Sequence, residues 1–400
     1  MVCDRCIGGG KVEQTRWLSE RKKRTERAFG GVDIPMLLIA WALVLFGCMM
    51  VYSASSVYAE QYHNDRSYFI VRHLVFLALA VGITALAIRF ATPRFWSDFG
   101  VALYGVSVVM LLMVLAIGSD LGSGAKRWLD FGIFTVQPSE IAKLALVLLL
   151  ARFFAKHRDR IVGRRRGGSF RYGVLYPVLM IGGILLLVAL EKHISGIMII
   201  GMLGITVMFL GGTKPVWILS ILGTIALAGV LLIALFPYAQ ARVDTWIHIE
   251  QADPLGSAWQ TLQGLMAIGS GGLFGRGFGG SRQKFGYVSQ PQNDFIFTII
   301  CEELGFIGAF LVLALFALFV ARGFYLARRA SDQTSSLMIY GLTFKVALQV
   351  IMNVAVVTNS MPNTGISLPF FSYGGTSLIL QVFEVGIILS LSRFSTGKKI

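Results

Sequence analysis

The sequence predicts an all-α polytopic membrane protein, and three observations lead to this fold class. Hydrophobic residues make up 55% of the 400 residues and charged residues only 14%, whereas a soluble domain carries about 25% charged residues. The mean hydropathy is +0.70. The apolar residues also fall in runs of about 20, the length a helix needs to cross a bilayer. Spanning sheets with open edges are excluded, because lipid cannot satisfy unpaired backbone groups.

About ten segments meet this length requirement. They are 34–54, 69–88, 98–117, 138–155, 173–190, 194–211, 217–235, 295–320, 336–357 and 376–392. Glu140 and Lys143 interrupt the start of the fourth segment, and only residues 191–193 separate the fifth from the sixth. A long extracytoplasmic loop, residues 236–294, is predicted between helices 7 and 8. It is too long for a simple connector.

The chain is predicted to have a basic N-terminal tail, residues 1–31, and a single membrane domain, residues 32–400. The tail holds eight Lys or Arg, and residues 152–171 hold eight more. By the positive-inside rule, both termini of this multi-pass cell-membrane protein are cytoplasmic. The basic residues behind the net charge of +15 are then also expected to contact anionic membrane lipids. Nucleic acid is not a predicted partner, because the charge is divided among short loops.

The tail also contains a C-x-x-C motif, formed by Cys3 and Cys6. A zinc site of the usual kind needs a second pair of ligands, which the sequence lacks. No metal site is therefore predicted from these cysteines.

Asp294 precedes the apolar run FIFTIIC of the eighth predicted helix and has two compatible interpretations. It could cap the helix by accepting hydrogen bonds from free backbone N–H groups. It could also be a general base at the membrane boundary, since an apolar wall raises the proton affinity of a carboxylate. Two further acids, Glu302 and Glu303, lie about two turns along the helix. Packing and function stay open for both.

A second group of charged residues lies around the fourth predicted helix. Glu140 and Lys143 in QPSEIAK (137–143) are three residues apart and share one helix face, which predicts an ion pair. The pair is either a structural clamp or part of a site. Arg127 lies in the preceding loop and can turn toward the same place. A guanidinium together with an ammonium group suits a pyrophosphate.

A polar stripe is predicted on the ninth helix, where Lys345, Gln349 and Asn353 recur every four residues. It favours either interhelical hydrogen bonds or the lining of a polar cavity. Glu384 in the tenth helix is a candidate partner for Lys345.

The long loop contains two further patterns. Apolar residues recur at helical spacing over 259–268 with Gln260 and Gln263 off that face, which predicts a short amphipathic helix at the membrane interface. The glycine-rich stretch that follows predicts a tightly packed or re-entrant loop. Its GRGFGG (275–280) is not interpreted as a dinucleotide motif, because it follows no strand.

Three blocks of this sequence resemble the SEDS family (shape, elongation, division and sporulation), which includes FtsW, RodA and SpoVE. They are RWLDFGIFTVQPSEIAK, AIGSGGLFGRGFGGSRQKFGYVSQPQNDFIFTIICEELGFIG and MPNTGISLPFFSYGGTSLI. The resemblance covers nearly the whole chain after the basic tail. VYSASS (51–56) and EKHISG (191–196) look closer to the FtsW/SpoVE branch.

The resemblance implies a peptidoglycan glycosyltransferase that polymerises lipid II on the outer face of the membrane, in division or spore-cortex synthesis. It implies a class B penicillin-binding protein as partner, together with division or sporulation proteins. The family's essential Asp matches Asp294, and its Trp and Glu of the RW…QPSE block match Trp128 and Glu140. Gln260, Lys345 and Ser372 are added here as candidate substrate-binding residues. VSQPQND (288–294) departs from the Pro–Glu that many members carry ahead of this Asp.

The implied reaction inverts the donor sugar carbon, so it needs one base and stabilisation of the departing pyrophosphate. We expect Asp294 to be the base and Arg127 and Lys143, or a divalent cation, to stabilise the pyrophosphate. No other cofactor is predicted. Two alternatives stay open: a lipid II flippase, for which Lys345 and Glu384 would line a path, and a non-catalytic scaffold. A flippase has no evident need for an Asp in a long outer loop.

Overall fold

The computed structural model describes residues 31–119, 126–132, 134–162, 170–235, 237–251, 253 and 258–394. The predicted tail up to residue 30, with Cys3 and Cys6, lies outside the described residues. The helices are α1 (Ile34–His63), α2 (Tyr68–Phe90), α3 (Pro93–Ile117), α4 (Pro138–Lys156), α5 (Arg158–Val162), α6 (Tyr176–Leu190), α7 (Ile194–Leu210), α8 (Pro215–Leu235), α9 (Pro237–Ile247), α10 (Trp259–Gly271), α11 (Ile296–Arg328), α12 (Gln333–Val357) and α13 (Gly375–Ser392). A π-helical turn, Arg171–Leu175, leads into α6.

One short antiparallel hairpin interrupts this helical fold. Its strands are β1 (Leu129–Asp130) and β2 (Thr135–Val136), with Leu129 opposite Val136. The hairpin lies at the amino-terminal end of α13, because the Thr376 hydroxyl donates to the Thr135 carbonyl at 2.9 Å. It therefore fixes which end of α4 lies beside the start of α13.

The predicted all-α membrane fold is confirmed, and every predicted span is helical in the structure. Among the described residues, seven helices are long and apolar enough to cross a membrane: α1, α2, α3, α6 with its π-helical turn, α11, α12 and α13. The other predicted spans correspond to α4, α7 and α8. Of these, α4 is too polar to count among the seven, because Glu140, Lys143 and Arg152 place three charged residues within 138–155. It is a central helix, and most of its residues are buried.

Local sequence accounts for several helix starts. Asp33 caps α1 by accepting a hydrogen bond from the Met36 backbone N–H at 2.9 Å, and Pro35 occupies the first turn. Asp332 caps α12 through the Ser335 N–H at 3.0 Å. Such short side chains satisfy backbone donors that a helix leaves free at its start. Asp33 also binds the Arg322 guanidinium through both oxygens, at 3.0 and 2.6 Å, and so joins α1 to α11.

The eighth predicted helix is not continuous, which corrects the expectation of one span over 295–320. Gly305 has φ 69° and ψ −167°, so α11 consists of two helical parts separated at this residue. The first part, residues 296–304, carries both Glu302 and Glu303. A glycine-rich segment forms backbone hydrogen bonds with both sides of this break.

That segment is the glycine strap, residues 271–277. The backbone N–H groups of Arg276 and Gly277 donate to the carbonyls of Glu302 and Glu303, each at 3.0 Å. In return, the Phe306 N–H donates to Gly272 at 2.9 Å and the Ile307 N–H to Leu273 at 3.2 Å. The strap therefore supplies the partners that the interrupted helix loses. Non-helical backbone at membrane depth is tolerated only where protein or water satisfies it in this way.

Candidate functional site

Asp294 lies in the turn that leads into α11, where two loops and α12 meet. Its backbone carbonyl accepts a hydrogen bond from the Asn353 side-chain amide at 2.7 Å. The same amide donates to the Ile366 carbonyl at 2.6 Å, so Asn353 joins the two loops. The Asp294 carboxylate lies beside Gly365, with Oδ2 3.5 Å from the position a Cβ would occupy there.

The loop 358–374 holds the residues just before Asp294. The Ser372 hydroxyl donates to the Asn293 carbonyl and accepts from the Leu368 N–H, both at 2.7 Å. The Tyr373 N–H donates to the Gln292 carbonyl at 2.8 Å. Ser372 was predicted to bind substrate, and in this structure its hydroxyl is buried and bonded to backbone groups. Its observed contacts fix the turn that carries Asp294.

The environment of Asp294 favours a carboxylate that can accept a proton. Burial raises its pKa from 3.8 to about 6, against the smaller effect of hydrogen bonds from its own backbone N–H and that of Phe295. No lysine, arginine or histidine among the described residues forms an ion pair with it. The predicted capping role is wrong in position, because Phe295 occupies the N-cap of α11 and no side chain caps that helix.

The predicted ion pairs of the fourth, ninth and tenth helices form one buried cluster of four charges. Lys143 pairs with Glu140 on α4, as predicted. Lys345 on α12 lies 2.5 Å from Glu384 on α13 and 3.6 Å from the second oxygen of Glu140. None of the four is more than 8% exposed. Two positive and two negative charges are thus balanced inside the bundle, the condition for burying them.

The polar stripe of α12 connects this cluster to the turn of Asp294. Lys345 and Asn353 are eight residues apart, which is about 12 Å along a helix axis. Lys345 forms the interhelical hydrogen bond that one interpretation of the stripe predicted, to Glu384 on α13, whereas Asn353 donates to backbone carbonyls of two loops. Acceptor oxygens of Gln349, Asn353 and Glu384 have no hydrogen-bond partner within the part of the chain that the structure describes. Unsatisfied acceptors are more typical of a polar cavity than of dry packing.

Arg127 lies beside the corner formed by residues 191–193, which separates the fifth predicted span from the sixth. Its guanidinium donates to the Lys192 carbonyl at 2.8 Å. Glu191 is 2% exposed, and burial raises its pKa to about 8 although the charge of Arg127 lowers it. His193 Nδ1 lies 3.3 Å from the Ser139 hydroxyl at the start of α4. Burial, with smaller effects of Lys143 and Arg127, lowers the pKa of His193 to about 4.

This corner therefore adds Glu191 and His193 to the polar environment of Arg127 and Glu140. The signal that could have identified them is a three-residue break between apolar helices in which every residue is ionisable. Trp128 is next to Arg127 and is half-buried. Its backbone forms a bridge to Ser119, whose N–H donates to the Trp128 carbonyl at 2.9 Å. The bridge fixes the backbone of Trp128 at the entrance to the hairpin.

Helix α10 is present as predicted, but its orientation differs. Its buried residues are Thr261, Gln263, Gly264, Ala267 and Gly271. Met266 is 57% exposed, so small residues, not the large apolar ones, pack against α11. A Cβ at Gly264 would approach the Phe295 ring at 2.8 Å, which explains this choice. Gln260, a predicted substrate ligand, donates to the Ser289 carbonyl at 3.3 Å and anchors the loop.

Glu302 and Glu303 anchor the same loop. Glu302 accepts from the Ser281 hydroxyl at 2.5 Å and from the Arg282 N–H at 2.9 Å. Glu303 pairs with Lys284 at 3.1 Å and accepts from the Ser53 hydroxyl at 2.7 Å. Both acids are at most 1% exposed. Of the two interpretations left open for them, these contacts support packing.

The comparisons with known proteins agree with this architecture. The family profile FTSW_RODA_SPOVE, described as "Cell cycle protein", matches residues 34–397. The chain is 37% identical to "Stage V sporulation protein E" of Bacillus subtilis (strain 168), covering 91% of this chain and 97% of that protein. It is 36% identical to "Probable peptidoglycan glycosyltransferase FtsW" of Trichlorobacter lovleyi, covering 90% and 93%.

Solved structures give the same result. The rod shape determining protein RodA of Thermus thermophilus aligns with a TM-score of 0.67 at 27% identity, over 92% of this chain and 98% of that one. A chain of the structure described as "Structural coordination of polymerization and crosslinking by a peptidoglycan synthase complex" aligns with a TM-score of 0.72 at 29% identity, over 90% and 98%. The chain therefore belongs to the FtsW/RodA/SpoVE family, the SEDS family that three blocks of its sequence resemble.

Proposed function

We propose that this protein is a peptidoglycan glycosyltransferase, which polymerises lipid II into β-1,4 glycan strands in cell division or spore-cortex synthesis. The names of its FtsW and SpoVE relatives support this activity and this setting. The observation that carries the proposal is Asp294, a half-buried carboxylate with a raised pKa, held by Asn353 where two loops meet.

Asp294 is the general base of the proposed mechanism. It takes the proton from the 4-hydroxyl of the acceptor sugar while that oxygen attacks the donor sugar carbon and the pyrophosphate leaves. A base is most effective when its pKa lies near the working pH. With a pKa of about 6, Asp294 is mostly ionised at neutral pH and still has appreciable affinity for the proton.

Arg127 and Lys143 stabilise the departing pyrophosphate in this proposal, with a divalent cation as an alternative. Arg127 is the more accessible of the two, because Lys143 is 1% exposed and paired with Glu140. A guanidinium matches the geometry of phosphate oxygens. Trp128, Glu140 and Lys345 complete the proposed substrate-binding set. Gln260 and Ser372 support it by holding the loop and the turn of Asp294.

The protein is a multi-pass membrane protein, and we propose that it crosses the membrane with about ten helices. Both termini would be cytoplasmic, and loop 236–294 would be outside, where the lipid-linked substrate is used. The excess of Lys and Arg in 152–171 supports this orientation. We propose a class B penicillin-binding protein and division or sporulation proteins as partners. The structural likeness to a chain of a peptidoglycan synthase complex supports the first of these.

The test is a glycan-strand gel with the purified protein and lipid II, with transpeptidase activity blocked. Strands support the polymerase, flipped but unpolymerised lipid II supports a flippase, and neither product supports a scaffold. Asp294→Asn is expected to abolish strand formation, whereas Asp244→Asn, an exposed carboxylate of α9 in the same loop, is expected to retain it. Full activity of Asp294→Asn would overturn the assignment of the base.

The folded state of Asp294→Asn is the control for misfolding. Because the pKa of Asp294 is raised from the ordinary 3.8 to about 6 in the folded protein, its ionisation lowers stability as the pH rises between these two values, and the full cost remains above about pH 6. The amide removes that cost. Asp294→Asn is therefore expected to be at least as stable as the parent protein at pH 7, while it loses activity.

A further inference from the structure

An aromatic cluster lies at the end of the bundle that carries Asp294. We call it the aromatic shelf, and its members are Tyr58, Tyr62, His63, Tyr68, Phe69 and Tyr373. Tyr58 and Tyr62 stack with ring centroids 4.4 Å apart, and His63 stacks on Tyr68 at 3.7 Å. Phe69 lies between these pairs and approaches Tyr373 edge-on at 4.9 Å. The rings thus form a continuous series of contacts from the α1–α2 connection to loop 358–374.

The shelf is more open than a packing cluster. Tyr62 is 67% exposed. His63 is exposed, and Tyr58, Tyr68 and Tyr373 are half-buried. Only Phe69, at 9%, is buried within the cluster. Tyr62 and His63 therefore remain accessible to a ligand at the α1–α2 end of the cluster.

The shelf also reaches the candidate site through the backbone. Tyr373 donates its N–H to the Gln292 carbonyl at 2.8 Å, two residues before Asp294. Arg72 lies 4.9 Å above the Tyr68 ring and forms a hydrogen bond with the Tyr373 side chain. A molecule lying along the shelf would thus have one end at the exposed α1–α2 connection and the other beside the turn of Asp294.

Polar side chains border the exposed end of the shelf. The exposed residues here are Glu60, Gln61, Asn64, Asp65 and Arg66. Arg66 pairs with Glu60 at 2.8 Å. These groups offer hydrogen-bond donors and acceptors beside flat aromatic faces. Sugars need this combination, because their C–H faces pack on aromatic rings and their hydroxyls and N-acetyl groups hydrogen-bond to polar side chains.

An aromatic belt at the membrane interface is the competing interpretation. The protein contains a cluster suited to test it, formed by Phe153, His157, Tyr172 and Tyr176. That cluster lies at the carboxyl end of α4, whereas the hairpin at the amino end of α4 lies beside α13 and the shelf. A role as an interfacial belt would apply to both clusters, whereas a role in the candidate site applies only to the shelf, which contacts the turn of Asp294 through Tyr373.

We propose that the aromatic shelf is a carbohydrate-binding platform that holds the amino-sugar backbone of the glycan strand beside Asp294. This inference rests on the proposed function, since it names where the polymer is held. The variant to compare is Tyr62→Ala, whose residue is exposed enough to be removed without disturbing the core. Its matched control is Tyr176→Ala, a 39% exposed tyrosine of the opposite cluster.

The first measurement is binding of soluble β-1,4-linked N-acetylglucosamine oligomers to the full-length protein in nanodiscs, and intrinsic fluorescence reports the binding. Loss of one stacking ring is expected to raise the Kd of Tyr62→Ala by about threefold to tenfold. Tyr62→Trp, Tyr176→Ala and Asp294→Asn are expected to bind like the parent protein. Equal binding by Tyr62→Ala and Tyr176→Ala, or no binding by the parent protein, would overturn the platform.

The second measurement is strand length in the polymerisation assay, which separates this inference from the proposed function. Shorter strands from Tyr62→Ala than from Tyr176→Ala support the platform, and strands of parental length from Tyr62→Ala overturn it. A parent protein that binds the oligomers but makes no strands would refute the proposed function and leave the platform supported.

Discussion

The buried pair of Lys284 and Glu303 gives a sharp test of how the loop before Asp294 is held. Lys284 is 5% exposed and Glu303 is fully buried. The ammonium group lies 3.1 Å from the carboxylate and 2.8 Å from the Gly279 carbonyl. The same carboxylate accepts a hydrogen bond from the Ser53 hydroxyl at 2.7 Å. One ion pair therefore joins the loop to both α11 and α1.

Lys284→Met removes the positive charge and leaves a buried carboxylate with Ser53 as its remaining side-chain partner. Breaking a buried ion pair in this way costs about 3–5 kcal/mol of unfolding free energy. The double variant Lys284→Met/Glu303→Gln removes both charges. Because neutral replacements of a buried pair are often nearly neutral overall, the double variant is expected to recover most of the loss.

The assay is unfolding of the purified protein by titration with SDS, followed by tryptophan fluorescence. Arg66→Met is the control, because its pair with Glu60 is exposed to solvent and is expected to contribute little to stability. Additive losses in the double variant would refute the coupling, and so would a Lys284→Met loss no larger than that of Arg66→Met.

The remaining predictions concern the strap, the turn of Asp294 and its ionisation. Gly275→Ala is expected to lower stability by about 1–3 kcal/mol, since φ is +78° and a Cβ would collide with the Glu303 carbonyl; Gly269→Ala, with nothing within 4 Å, is its control in the same unfolding assay. Asn353→Ala leaves two carbonyls without their donor, so kcat for strand formation is expected to fall, and parental kcat would contradict this. Activity is expected to rise with pH and reach half its maximum near pH 6, because Asp294 must be ionised to act as base. Activity that stays constant between about pH 5 and pH 7 would refute that role.

Much of the fold follows from local patterns. Each of the ten predicted apolar segments is helical in the structure, although the eighth is interrupted at Gly305. The ion pair of Glu140 and Lys143 followed from a spacing of three residues, and its presence is confirmed. The Lys345–Glu384 contact was named as a candidate from two charges in neighbouring spans, and it is present at 2.5 Å. These features depend on helix periodicity and on the high cost of unpaired charges in a bundle.

Other parts of the site depend on residues far apart in the chain. The connection of Lys345 to Glu140, and the proximity of Arg127 to Glu191, require helices to pack in one particular arrangement. Periodicity within a single helix does not contain that information. The misplaced cap at Asp294 has a similar cause. Asn353 on another helix holds this turn, and the Asp294 carboxylate accepts from its own N–H and that of Phe295, ahead of α11.

The sequence by itself determined that the chain folds into apolar helices and where along the chain they lie, because in lipid each segment must satisfy its own backbone hydrogen bonds. Its motifs also identified the family and the acid that we propose as the base. Only the tertiary structure decided that α11 breaks at Gly305 and that the glycine strap satisfies the break, because those partners come from a different segment. The same reason governs Glu303 and Ser53, which are 250 residues apart and meet only in the folded chain.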